Sequence, residues 1–126
     1  MATVTRSVLL PAVEAFLSRD RHGAWIGGRE VSGSSDATIT TLDPGTGQPL
    51  AQVIDATAED VGRAVDAALA AFREDSWSKL PANERSALLH RFADAVDKHR
   101  AEIAQIESLD AGKLLAQADG DVQGFI

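Results

Sequence analysis

The side chains that most often carry chemistry are sparse in this chain. It has no cysteine, so neither a thiol nucleophile nor a thiolate metal site can be built from it. The three histidines, His22, His90 and His99, stand far apart with no acidic pair at ligand spacing, and read as surface or half-buried residues. Two glycine patterns superficially suggest phosphate binding. In Gly45-x-Gly47 the third glycine position of a dinucleotide loop holds Leu50, Pro49 intervenes, and a strand follows, so a pyrophosphate would have no helix N-terminus to sit on. Gly112-Lys113 ends like a P-loop, but Glu107 fills the first glycine position and Leu114 that of the magnesium-binding hydroxyl. No Gly-x-Ser-x-Gly elbow occurs. Taken residue by residue, the sequence describes scaffold.

Composition sets the class. A chain of 126 residues, 44% hydrophobic and 25% charged, suits a soluble globular domain and excludes a disordered or fibrous one. Residues 37–126 hold fifteen acids and eight bases against four of each in residues 1–36, and the net charge is -7. No basic patch is available to neutralise phosphates, which excludes nucleic acid as a partner. The apolar run from Val8 to Val13 is broken by Pro11, and no Ala-x-Ala cleavage pattern follows it. Nothing approaches the roughly eighteen apolar residues of a membrane helix, so no membrane partner is expected and the compartment reads as cytoplasmic.

The elements that would position any site follow from periodicity. Pro11 opens a short helix to about Arg19, with Val13, Phe16 and Leu17 at helical spacing. Trp25-Ile26 and Arg29 to Val31 flank Gly27-Gly28, the signature of a tight hairpin. Thr38 to Leu42 and Leu50 to Ile54 read as a second pair of strands around an Asp43-Pro44-Gly45-Thr46-Gly47 turn. From Thr57 the period becomes 3.6, with Thr57 as N-cap, Asp60 three residues on, and a stripe of Val61, Val65, Ala68 and Phe72. After a break at residues 74–80, Pro81 opens a second helix with Leu88, Leu89, Phe92, Ala95 and Val96 apolar and Asp94 and Lys98 spaced to pair on its solvent side. A third runs from about Ala101 to Asp110 and stops at Gly112. Leu114 to Ile126 reads as the start of a fourth whose apolar end, Val122, Phe125 and Ile126, suggests a truncated chain.

The order of these features resembles the amino-terminal portion of the aldehyde dehydrogenase superfamily. The matching pieces are Trp25-Ile26-Gly27-Gly28; "DPGTGQPLAQV" from Asp43 to Val53, similar to the family's Asn-Pro-x-Thr-Gly-x-x-x-Ala-x-Val; and "ATAEDVGRAVDAALAAF" from Ala56 to Phe72. Trp77 with "PANERSALLHRFAD" from Pro81 to Asp94, and "ESLDAGKLLAQADGDV" from Glu107 to Val122, complete the series. Asp43 replaces the family's usual Asn, Leu114 stands where Pro commonly follows Gly-Lys, and Leu80 precedes Pro81 where a capping Ser or Asp is better. The leading "LLPAVEAFLSRDRHGAWIGG" is similar to the extension of phenylacetaldehyde-type aromatic aldehyde dehydrogenases.

The resemblance implies an α/β parent with a Rossmann-like cofactor domain, of which this segment alone is α+β: short antiparallel strands followed by three to four helices. It implies residues 1–22 as an N-terminal extension and residues 23–126 as the truncated beginning of the cofactor-binding domain. The parent would be a homo-oligomer that oxidises a small-molecule aldehyde to a carboxylic acid with NAD or NADP, using a catalytic cysteine, a glutamate and an asparagine. None of those residues, nor those that grip the dinucleotide, has a match in this chain, which is expected to be inactive alone. The resemblance also implies a structural monovalent cation held by main-chain oxygens at Thr41 and Leu42 and by the carboxylate of Asp110. The plainer alternative is that Asp110 only satisfies N–H groups at its helix end. For the whole chain, the alternative is a non-catalytic regulatory or interaction module derived from the same scaffold.

Overall fold

The computed structural model describes residues 8–126. Helix α1, Pro11–Leu17, leads into two antiparallel hairpins. Strands β1, Ala24–Ile26, and β2, Arg29–Val31, pair with Trp25 opposite Glu30, and the connecting Gly27 and Gly28 have φ of 61° and 78°. Side chains rarely adopt such angles, so the glycine pair fixes the hairpin's register. Strands β3, Thr38–Leu42, and β4, Pro49–Ile54, pair with Ile39 opposite Val53 and carry a bulge between Thr41 and Leu42. The two hairpins are separate two-stranded sheets. His22 ties the segment before β1 to β4, its N–H donating to the Gln52 carbonyl at 2.8 Å while its own carbonyl accepts from Ile54 at 3.0 Å.

The four long helices fall where periodicity predicts them: α2, Ala58–Arg73; α4, Ala82–Lys98; α5, Arg100–Ala111; and α6, Leu115–Phe125. Thr57 and Asp60 close α2 with reciprocal side-chain-to-backbone bonds, Asp serving in the capping box where Glu or Gln is usual. The break at residues 74–80 contains one helical turn, α3, Asp75–Ser78, because Asp75 sits at its first position and pairs with Lys79 one turn on. The i,i+4 ion pairs of the described residues are Arg63–Glu59 and Lys79–Asp75, and the Asp94–Lys98 pair is not among them.

The core is small and lies between α5 and α6, where Ala104, Ala118 and Val122 are buried and Val96 of α4 packs against them. Alanines at the contact allow close approach of the two helices. Arg100 clamps the same pair from outside, donating from Nε and Nη2 to the two Asp119 oxygens at 2.7 and 2.6 Å. Helix α1 docks on α5 and buries Val13 completely. The helical stripes read from the sequence are real but not covered within the chain: Val61, Val65 and Phe72 on α2 and Leu89 and Phe92 on α4 are all exposed. No helix of the described residues is long and apolar enough to cross a membrane.

Candidate functional site

The end of α5 meets the turn between β3 and β4. Gly112 closes α5 in the left-handed region, φ 69°, and a Cβ built there would lie 2.7 Å from Pro44 Cγ. Only glycine satisfies both the angle and the approach. The turn is organised around Asp43, whose carboxylate accepts the Gly45 N–H at 2.8 Å and whose carbonyl accepts from Thr46 and Gly47 at 3.2 and 2.7 Å. An Asp therefore makes the side-chain turn that the family's Asn would make. Ser108 Oγ steadies the exit from α5 by donating to the Lys113 carbonyl at 2.8 Å.

The Gly112–Pro44 contact brings the segments carrying the proposed cation ligands together, since Asp110 lies two residues before Gly112 and Leu42 two before Pro44. Asp110 and Leu42 are exposed and Thr41 is half-buried. Pro49, opposite Leu42 across the bulge, has no N–H to offer the strand. Among the described residues no group of three or more His, Cys, Asp or Glu side chains could hold a metal ion. An ion here would rest mainly on main-chain oxygens with one carboxylate, a set that suits a hard, weakly charged cation.

The most strongly perturbed ionisable group lies elsewhere. Asp60 is almost fully buried. Its carboxylate accepts the Thr57 N–H and hydroxyl, both at 2.9 Å, and the Ser34 N–H and hydroxyl at 3.1 and 2.8 Å, and it pairs with Arg63. The Thr57 N–H first, then the two donors of Ser34, hold its carboxyl far below the usual carboxylate range despite burial. Every oxygen lone pair is committed, so the group is a clasp between the loop after β2 and the start of α2 rather than an acid or base. Its cap role is readable from Thr57-x-x-Asp60; the reach to Ser34, 26 residues away, is not.

These residues also decide the fit of a dinucleotide. The N-terminus of α2 is already filled by the Asp60 carboxylate, which repels phosphate, and Gly45 and Gly47 lie in a turn between strands. Neither the N-terminus of α2 nor the Gly45–Gly47 turn therefore fits the pyrophosphate of NAD or NADP. Gln105 escaped the sequence reading, and His22, read there as a surface or half-buried residue, is buried. Gln105, buried on α5, accepts the Leu10 N–H at 2.8 Å and donates to the Val8 carbonyl at 3.2 Å, so it fastens the leading segment. His22 is buried against Phe16, ring centroids 4.3 Å apart, and among the described residues its Nε2 has no hydrogen-bond partner. Burial first, then the Arg19 charge, push the His22 pKa down, and Glu30 opposes them. A polar side chain among the apolar positions of α5 was the available sign of Gln105, while the charged neighbours Asp20 and Arg21 gave none of the burial of His22.

With this geometry in hand, comparison with known proteins is specific. Residues 31–126 match the model of the aldehyde dehydrogenase family. The mitochondrial benzaldehyde dehydrogenase of Antirrhinum majus is 48% identical over 88 residues, covering 70% of this chain and 16% of that protein. Phenylacetaldehyde dehydrogenase of Pseudomonas fluorescens is 38% identical over 113 residues, covering 90% of this chain and 22% of that protein. The structure of aldehyde dehydrogenase from Bacillus cereus in complex with NAD+ superposes with a TM-score of 0.85 at 39% identity, covering 93% of this chain and 24% of that one. The fold is that of an aldehyde dehydrogenase, in an α+β segment of short antiparallel strands and helices. The chain belongs to the aldehyde dehydrogenase family, as an amino-terminal segment spanning less than a quarter of the length of the two enzymes matched by sequence.

Proposed function

We propose that this chain is the amino-terminal scaffold of an NAD(P)-dependent enzyme that oxidises an aldehyde to a carboxylic acid, and that the segment itself carries no catalytic residue. The observation that carries the reading is a family match over residues 31–126 in a chain without a single cysteine. The family's route needs a thiolate to attack the aldehyde carbon. In this reading residues 23–126 begin the cofactor-binding domain, residues 1–22 precede it as an extension, and the parent works as a cytoplasmic homo-oligomer. The test is the coding sequence downstream of Ile126, read in all three frames. Continuation of the dehydrogenase pattern, including a cysteine nucleophile, is the expected result; an isolated stop codon with its own regulated expression would replace this reading with that of a regulatory module.

The same reading assigns a structural monovalent cation to the main-chain oxygens of Thr41 and Leu42 with the Asp110 carboxylate. The Gly112–Pro44 contact and the bulge opposite Pro49 support it. Melting the chain in sodium, potassium or tetramethylammonium chloride at equal ionic strength tests it. The small cations should raise Tm for the native sequence and not for Asp110→Ala; equal melting in all three salts would remove the site.

A further inference from the structure

The leading segment is fastened to the rest of the chain at two places of different chemistry. At its near end Gln105 holds the main chain of Val8 and Leu10, and Val13 is fully buried where α1 meets α5. At its far end His22 lies alongside β4, bonded through its own main chain to Gln52 and Ile54. A carboxamide neither gains nor loses a proton near neutral pH, whereas an imidazole does. Only the far end therefore responds to mild acid.

That end is built around the neutral ring. His22 is 9% exposed, and its ring centroid lies 4.3 Å from that of Phe16. A second proton makes both ring nitrogens donors, and the buried Nε2 has no partner among the described residues. The imidazolium would be a buried charge with a donor left unpaired, which is costly. Of the charged groups nearby, Arg19 opposes the proton and Glu30 favours it. Glu30 is already engaged, accepting from Arg19 at 2.6 Å and from the Gly23 N–H at 2.9 Å. Arg21 is turned to Asp36 at 3.4 Å, while Glu14, Asp20, Arg29 and Asp55, on or beside the packed elements, are exposed. Strands β1 and β4 carry no ionisable side chain.

We infer that His22 is a proton-operated latch: acid frees residues 18–23 from the edge of β4 while Gln105 keeps residues 8–13 on α5. The opening uncovers the Gln52 carbonyl and the Ile54 N–H, which His22 otherwise occupies, and an uncovered strand edge is a template for pairing with another chain. The latch stands on the geometry of this segment alone and is independent of the enzyme reading above.

Amide hydrogen exchange tests it, resolved to single residues in the dilute chain and corrected for the intrinsic pH dependence of exchange. Ile54, whose N–H donates to the His22 carbonyl, reports the far end, and Leu10, whose N–H donates to Gln105, reports the near one. From about pH 7 to about pH 5, protection at Ile54 should fall at least about threefold while that at Leu10 changes by less than about half as much. His22→Phe fills the same space against Phe16 without a proton and should hold Ile54 protection constant over that range. Arg19→Gln removes the charge that opposes the proton and should move the loss to higher pH. Gln105→Leu should lower protection at Leu10 at every pH and leave the Ile54 dependence in place. If His22→Phe does not fold, the ring nitrogen signals of His22 in the native chain serve instead, and their titration midpoint should coincide with the loss at Ile54. Equal loss at Ile54 and Leu10, a dependence that survives His22→Phe, a ring titration that does not track Ile54, or loss only below about pH 4.5, where carboxylates titrate, would each overturn the latch.

Discussion

Gly112→Ala puts the junction of α5 with the β3–β4 turn under direct strain. Two costs add. An alanine at φ 69° loses about 1–2 kcal/mol from its backbone conformation. Its Cβ would also lie 2.7 Å from Pro44 Cγ, and forcing an extra carbon into a filled contact typically costs a further ~1–3 kcal/mol. Against this, alanine narrows the unfolded ensemble by about 0.4–1 kcal/mol. The net expectation is a loss of about 2–4 kcal/mol. Gly47→Ala is the control, because its φ of 70° is nearly the same but nothing lies within 4 Å of its Cβ. That variant should lose only the backbone component, about 1 kcal/mol. Urea unfolding followed by far-UV circular dichroism distinguishes them, and with a slope of about 1–2 kcal/mol per molar the two midpoints should differ by roughly 1 M. Gly112→Asn separates the causes, since asparagine tolerates the angle but still carries the Cβ. Equal midpoints for Gly112→Ala and Gly47→Ala would refute the packing argument.

Acid should weaken attachment of the leading segment. With the His22 pKa held below the ordinary histidine value of 6.5, the unfolded chain binds this proton more readily, so stability is full above that value and falls as pH drops toward the lowered folded pKa. His22→Phe should flatten the dependence between pH 6.5 and about 5, above the range where carboxylates titrate; an unchanged slope would remove the role. The isolated chain, with its α2 and α4 stripes open, should bind a hydrophobic dye and self-associate without limit as concentration rises. A monomer that stays monodisperse and binds no dye as concentration rises would contradict this. Asp60→Asn should destabilise more than Glu59→Gln, because Asp60 accepts four donors from Thr57 and Ser34 and Glu59 only meets Arg63 in solvent; equal melting of the two variants would refute it.

The local elements were legible because their signals are local. Gly27-Gly28 between β-branched and aromatic residues fixes a hairpin, Thr57-x-x-Asp60 fixes a helix start, and Gly112 fixes a helix end. Helix α3 was missed because a single turn has no periodicity to read. The stripes on α2 and α4 were read correctly as apolar faces, but amphipathicity says that a face wants cover, not whether the same chain supplies it. Long-range polar contacts were invisible for a different reason. Gln105 meets Leu10 across 95 residues and Arg100 meets Asp119 across 19, and no spacing rule links such positions. The cation ligands came from family resemblance, and the structure's own contribution is the glycine-dependent contact that draws their segments together.

Turnover by the chain alone is the most direct measurement of whether it is scaffold. Oxidation by the family's route needs a thiolate, which is missing, and a dinucleotide site, which the capped α2 terminus and the strand-flanked glycines do not form. The missing thiolate is by itself disabling, so partial activity is not expected. Purified residues 1–126 mixed with NAD or NADP and a panel of aliphatic and aromatic aldehydes should produce no reduced cofactor above a blank. Steady production that survives exhaustive purification would contradict the account.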